Sequence, residues 1–256
     1  MAEFTDFGRF VWYDLMSPDT EASKRFYTEV VGWGTRVDRP LFGVDGRPPY
    51  TMWTAGDAPI AGLVPFNEDY WLGYVGVADV GRSVTQAKEL GSEVLFEPTE
   101  IAKVGRFAVI EDPQGAAIAL FQSAHGSPPP QPLTPKSLEF SWHELATTDW
   151  RAALDFYRSM FGWEAISEND MPPLGDYVVF GHNGVPYGGM FHKPPDMPAP
   201  AWCYFVRVDD AREAANKVLQ NGGQVIEGPV EVLGGERIAK CRDPFGGMFA
   251  VHQTAR

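Results

Sequence analysis

"FVWYDLMSPDTEASKRFYTEVVGW" (Phe10–Trp33) and "FSWHELATTDWRAALDFYRSMFGW" (Phe140–Trp163) are the same sentence written twice. With an offset of 130, nine of the 24 positions are identical: Phe10/Phe140, Trp12/Trp142, Leu15/Leu145, Asp19/Asp149, Ala22/Ala152, Phe26/Phe156, Tyr27/Tyr157, Gly32/Gly162 and Trp33/Trp163. The likeness extends outward. "WLGYVGVADV" (71–80) matches "WCYFVRVDDA" (202–211), and "EDPQGAAIALFQ" (111–122) matches "RDPFGGMFAVHQ" (242–253) at an offset of 131. The blocks keep their order, as duplication of a whole domain requires.

Between the copies lies "SAHGSPPPQPLTPKS" (123–137), whose five prolines bar a helix or a central strand. It reads as a stiff, extended linker. The expected organisation is an N-terminal domain over 1–123, a linker over 124–137 and a C-terminal domain over 138–256.

Each copy has one grammar. "GRFVWYDL" alternates and is rich in aromatic residues, as a half-buried strand is. In the following helix Ala22, Phe26 and Val30 make one apolar stripe, Ser17 is the expected cap, Pro18 suits the first turn, and Gly32 closes the end. Thr147, Ala152, Phe156, Met160 and Gly162 repeat the plan. Short strands follow, then a second strand and helix ("VGRSVTQAKELG", "DAREAANKVLQNGG"), then more strands, with "DPQG" and "DPFG" as turns. Strand–helix–three strands, four times over, is an α+β fold of four βαβββ modules with mainly antiparallel sheets.

Composition excludes several classes. The 256 residues carry a net charge of −13, with a pI near 4.8, which repels nucleic acid and anionic lipid. No apolar run reaches the roughly 20 residues of a membrane span. The N-terminus lacks the basic-then-apolar pattern of a secretory signal. Two cysteines, Cys203 and Cys241, make no disulfide framework, so a cytoplasmic protein with reduced thiols is expected.

The "D…A…FY…GW" helix after a strand, paired with "DP.G" before a last strand, resembles the vicinal oxygen chelate superfamily, which includes glyoxalase I, bleomycin-resistance proteins and extradiol dioxygenases. The tandem arrangement is similar to its two-domain glyoxalase-like, hydroxylase-type subgroup. The resemblance implies two fused domains with U-shaped sheets around cavities, and a divalent metal held by His, Gln or Glu in the enzymes. It also implies that the fused chain is a pseudo-dimer, present as a monomer or paired again as a homodimer. Carried over by position, the first ligand site falls on Trp12 and Trp142 and the last on Ala119 and Ala250. Near the middle ligand strand the one soft donor is Cys203. An indole N–H has no lone pair for a cation and a methyl group offers nothing, so no metal and no cofactor are expected.

Strand alternation puts Asp14 on the face of Trp12, Glu144 on that of Trp142, Phe121 on that of Ala119, and Met248 and His252 on that of Ala250. The candidate catalytic pair is therefore Glu144 and His252, as acid and base. Trp12, Asp14, Phe121, Trp142, His192, Cys203 and Met248 are the candidate ligand contacts. Tyr13 and His143 fall on the opposite face, as packing residues. Three functions are expected in order. The first is a small-molecule binding protein with an aromatic-lined cavity for a flat apolar ligand, acting in sequestration, resistance or an accessory role. The second is a metal-independent hydroxylase-like, isomerase or cyclase tailoring enzyme. The third is a metal-dependent lyase or dioxygenase with ligands relocated to Glu144, His192 and His252.

Overall fold

The computed structural model describes residues 7–40, 49–126, 134–172, 175–232 and 234–255. Residues 127–133 of the run expected as a linker fall outside them. The first module is β1 (Phe10–Ser17), α1 (Thr20–Val30), β2 (Gly34–Pro40), β3 (Pro49–Ala55) and β4 (Ala58–Pro65). The second is β5 (Tyr70–Gly76), α2 (Val80–Glu89), β6 (Glu93–Ile101), β7 (Gly105–Glu111) and β8 (Ala117–Ser123). The third is β9 (Phe140–Thr147), α3 (Trp150–Phe161), β10 (Glu164–Met171), β11 (Gly175–His182) and β12 (Val185–His192). The fourth is β13 (Ala201–Arg207), α4 (Ala211–Gln220), β14 (Gln224–Glu231), β15 (Arg237–Arg242) and β16 (Met248–Gln253).

The strands form two mixed eight-stranded sheets, ordered β2-β3-β4-β1-β5-β8-β7-β6 and β10-β11-β12-β9-β13-β16-β15-β14. Hairpins give antiparallel pairs, while each module's first strand lies parallel to its last, as β1 does to β4 and β13 to β16. The crossover helix between them makes that parallel pairing reachable. β2 and β10 carry no clear alternation; they are polar sheet-edge strands, and β10 is mostly exposed.

All four helices start on an aspartate. The side chains of Asp19, Asp79, Asp149 and Asp210 accept from backbone N–H groups in the first turn. This corrects the expected caps, Ser17 and Thr147. Ser17 Oγ instead pairs with Ser23 Oγ at 2.7 Å, and Thr147 donates to Gln114 Oε1 at 2.9 Å. Pro18 consequently precedes the cap. A carboxylate gains more from the helix dipole than a hydroxyl does, so the aspartate takes the position. Gly162 ends α3 in the left-handed conformation, φ +70°.

Packing divides the chain into two compact units, and each combines one module from each repeat. One comprises Met1–Val11, Leu72–Leu133 and His143–Trp202; the other comprises Trp12–Trp71, Thr134–Trp142 and Cys203–Arg256. The repeated motifs explain the exchange. In the second unit Tyr27, from the "FY" pair, donates its hydroxyl to Asp243 of "DPFG" at 2.9 Å, and Trp71 Nε1 donates to Tyr27 at 2.9 Å. Asp243 also accepts from the N–H groups of Phe245 and Gly247. In the first unit Tyr157 donates to Asp112 of "DPQG" at 2.8 Å, and Trp202 to Tyr157 at 3.3 Å. Asp112 there accepts from Gln114 and Ala116 N–H. Each buried tyrosine thus finds its acceptor in the other repeat.

Strand-face packing is likewise exchanged. Tyr13 stacks on Phe140 and His143 on Phe10, each with ring centres 3.8 Å apart. Both Tyr13 and His143 are buried packing residues, as strand alternation predicts. Burial pushes the His143 imidazole down to about 4, against a weaker opposing effect of its 2.6 Å bond to the Tyr187 carbonyl.

A pair of positions breaks the symmetry here. Asp69 lies where the other copy has Pro200, and Gly247 where the other has Ala116. A Cβ on Gly247 would stand 2.1 Å from Asp69 Oδ1 and 2.7 Å from Asp243 Oδ2, so the glycine admits a second carboxylate. Burial first, and then the Asp243 charge, push the Asp69 carboxyl up to about 8.

These two groups set opposite pH slopes. His143 is neutral in the fold and protonates near 6.5 when unfolded, so its contribution is complete above about pH 6.5 and is lost as pH falls toward 4. Replacement by Phe should remove up to about 3 kcal/mol of acid-side loss, read as urea midpoints of H143F and the parent from pH 7 to 4. Asp69 is neutral in the fold, so its contribution is full below about pH 4 and is lost as pH rises through about 8. The variant Asp69→Asn should therefore flatten the fall in urea midpoint between pH 6.5 and 8.5.

Candidate functional site

Three strand faces gather the candidate residues. In the second unit, β1, β3 and β4 build a polar trio. Tyr50 donates its hydroxyl to Asp14 Oδ1 at 2.5 Å, and Trp12 Nε1 lies 2.8 Å from the Tyr50 oxygen and 3.1 Å from the same carboxylate oxygen. Gly62 sits opposite Asp14 in the parallel register. A Cβ there would fall 1.9 Å from the Tyr50 oxygen and 2.1 Å from Asp14 Oδ1. The bare glycine is what allows the ring to lie over the strand and reach the acid.

The first unit repeats the device on β9, β11 and β12. Tyr177 donates to Glu144 Oε1 at 2.9 Å, and a Cβ on Gly189 would strike the Tyr177 ring at 2.0 Å. Glu144 is buried, at 6% exposure. Around the pair, Tyr177 stacks on Phe191 with centres 6.0 Å apart, and Ala146 completes a small core. Partly buried Met171, Val179 and Met197 rim it.

The third face is apolar and belongs to the second unit. Cys203, Phe205 and Ala250 pack together with Trp142, Ile238 and Met248 against them. At one end stands His252. Its Nδ1 is 2.9 Å from Ser141 Oγ, and Glu236 Oε2 lies 3.3 Å from Nε2. Burial lowers the His252 pKa, Glu236 opposes this, and Arg207 adds to it, which favours a neutral ring that accepts at one nitrogen.

The sequence candidates are thus distributed. Trp12 and Asp14 share a face and a hydrogen bond. Trp142, Cys203 and Met248 share the apolar face, in the same unit as His252. Glu144 belongs to the other unit, with Tyr177 as its partner. Phe121 lies in that unit on β8, its ring against Gly105. His192 is exposed, with Nδ1 3.0 Å from the Thr148 carbonyl, while its neighbour Phe191 joins the buried cluster. Cys241 is buried and its thiol is pushed up to about 12, as suits an inert core residue. Sequence reasoning missed Tyr50 and Tyr177. The available signal was a third register of the repeat, offset 127, which aligns Tyr50 with Tyr177 and Gly62 with Gly189.

Among the described residues no group of three or more His, Cys, Asp or Glu side chains is arranged to hold a metal ion. The cluster around Ala250 offers a thiol and a thioether in a hydrocarbon setting. That donor set does not fit the hard, oxygen- and imidazole-seeking divalent ions.

The two repeats, residues 9–120 and 139–251, both match the Glyoxalase/Bleomycin resistance protein/Dioxygenase superfamily, and the chain belongs to that family. "Putative glyoxylase CFP32" of Mycobacterium tuberculosis (strain CDC 1551 / Oshkosh) is 32% identical over 254 residues, 95% of this chain and 94% of the relative. "Anthracycline biosynthesis protein DauV" of Streptomyces sp. (strain C5) is 28% identical over 259 residues, 94% of this chain and 91% of the relative. The fold is shared with a Mn(II)-bound glyoxalase from Novosphingobium aromaticivorans (TM-score 0.62, 16% identity, 98% of this chain and 83% of that one). It is also shared with the 2,3-dioxygenase LapB from Pseudomonas sp. KL28 (TM-score 0.64, 12% identity, 99% and 94%).

The glycines beneath the tyrosines give a direct test of this geometry. Gly189→Ala should lower stability by about 1–3 kcal/mol through overpacking, measured as a shift in urea midpoint. The double variant Gly189→Ala/Tyr177→Phe should recover little, because the ring, not the hydroxyl alone, occupies the space.

Proposed function

We propose that this protein binds a flat, largely apolar aromatic small molecule without a metal, in sequestration or as an accessory to its biosynthesis. The observation that carries the reading is the apolar face of Trp142, Cys203, Phe205, Met248 and Ala250. It occupies positions where the family resemblance places metal donors. Aromatic and sulfur-bearing walls with a few polar groups suit such a ligand. The relatives DauV and DnrV, both named for anthracycline biosynthesis, support a polycyclic aromatic as the ligand class. Because each compact unit already joins modules from both repeats, one chain suffices for the module pairing. No helix among the described residues is long and apolar enough to cross a membrane. The acidic charge disfavours nucleic acid as a partner.

A metal-free tailoring step is the second reading. It is favoured by His252, whose Nδ1 lies 2.9 Å from Ser141 Oγ and whose Nε2 lies 3.3 Å from Glu236 Oε2. Glu144, the other candidate, belongs to the other compact unit. Titration of tryptophan fluorescence with an anthracycline and with anthraquinone tests the main reading. Binding in the micromolar range is expected, weakened about tenfold or more by Trp142→Ala. No binding at high micromolar concentration would remove it. Turnover of a bound compound, lost in His252→Ala with binding kept, would favour the second.

A further inference from the structure

Outside the faces already described, the second unit holds a cavity of about 440 Å³ lined by Asp210, Arg212, Gly235, Arg237, Gln253 and Thr254. Its character follows from where the protons of these side chains go. Gln253 is only 8% exposed. Its Oε1 accepts from the N–H of Ala211, the first residue of α4, at 3.1 Å. That bond fixes the amide and leaves the Nε2 protons without a partner among the described residues, on a side chain that lines the cavity. Thr254 Oγ1 accepts from Arg207 Nη2 at 3.1 Å, so the hydroxyl proton turns away from Arg207. Arg212 is exposed, and its guanidinium takes no partner among the described residues. Arg237 has one ion pair, to Glu231 at 3.3 Å, which does not exhaust five N–H donors.

The nearby acids are turned elsewhere. Asp210 caps α4 through the N–H groups of Arg212 and Glu213, Glu236 lies against His252, and Asp209 accepts from Ser137. What the cavity meets is therefore donors: an amide, a hydroxyl and two guanidinium groups, beside the positive end of a helix dipole. In a chain of net charge −13 this is a cationic pocket.

The other repeat separates what serves the fold from what does not. Asp79, Arg106 and Gln122 match Asp210, Arg237 and Gln253 at the offset of 131. Gln122 likewise accepts from the Val80 N–H, at 3.2 Å. In both copies this frame satisfies a first-turn N–H that has no acceptor within its helix. Two further cations are confined to the second copy: Arg212 stands where the first has Gly81, and Arg207 where it has Gly76. The helix start does not require them, since α2 begins on Asp79 without them.

We propose that this cavity is a second binding site, separate from the aromatic one, for an oxyanion carried on a small molecule: a phosphate ester or a carboxylate. Guanidinium forks bind either group through paired N–H donors, and Gln253 Nε2 and the Thr254 hydroxyl add two more. The volume falls within the range of small-molecule sites, so the anion brings an organic body with it.

Calorimetric titration of the full chain with inorganic phosphate and, separately, with succinate tests this at pH 7 and a fixed ionic strength of roughly 0.15 M set with sodium chloride. Saturable binding of at least one anion is expected, with a dissociation constant of about 1 mM or lower. Phosphate alone assigns a phosphoryl ligand, and succinate alone a carboxylate. Arg212→Gln keeps helix propensity while removing the charge, so it should weaken binding about fivefold or more with the urea midpoint nearly unchanged. Thr254→Val should weaken it about threefold or more. Absence of saturable binding by either anion up to roughly 20 mM would overturn the inference. So would unchanged affinity in both variants. Should Arg212→Gln lose stability, Thr254→Val decides alone. The two sites share no residue, so failure here leaves the aromatic-ligand reading standing.

Discussion

The structure depends on a hydrogen bond from a helix tyrosine of one repeat to a turn aspartate of the other. Tyr27 is fully buried and Asp243 nearly so, as are Tyr157 and Asp112. A buried phenol and a buried carboxylate each carry a heavy desolvation cost unless paired. Each aspartate uses one oxygen for the N–H groups of its own turn and the other for the tyrosine of the other repeat. The duplication therefore does more than double a domain. It supplies each repeat with the acceptor for the other's buried donor, and a tryptophan completes each chain of bonds. Aromatic stacks between first strands follow the same exchange, Tyr13 with Phe140 and Phe10 with His143.

With the scaffold held this way, the opposite strand faces are free to diverge. Each repeat keeps an acid, a tyrosine and a glycine in register, although the acid is Asp in one and Glu in the other. Beside Tyr177 lie Ala146 and Phe191 with Met171, Val179 and Met197, a setting of hydrocarbon, an aromatic ring and sulfur. A fold is preserved by packing and satisfied polar groups, and an interior face can alter without disturbing either.

The residues departing from the repeat symmetry carry information of their own. Asp69 and Gly247 change together against Pro200 and Ala116, because a carboxylate beside Asp243 is compatible only with a missing Cβ. The helix caps carry the opposite lesson. Reading Ser17 and Thr147 as caps followed their residue type, but Asp19 and Asp149 sit two residues on and meet the first-turn N–H groups directly. Local preference allowed both choices, and the strand-to-helix geometry selected one.

Sequence by itself determined the duplication, the strand–helix–strands grammar, the family and the shared face of Trp12 and Asp14, because these rest on periodicity and on motifs local to a few residues. The edge strands β2 and β10 were hidden, since solvent-facing strands need no apolar alternation. Tertiary structure alone decided that each compact unit mixes the two repeats, that Tyr50 and Tyr177 reach the acids, and that Glu144 and His252 fall in different units. The physical reason is distance along the chain. A contact between residues 36 or 216 positions apart leaves no mark on local pattern, because it is set by which buried donors and acceptors the folded strands bring face to face.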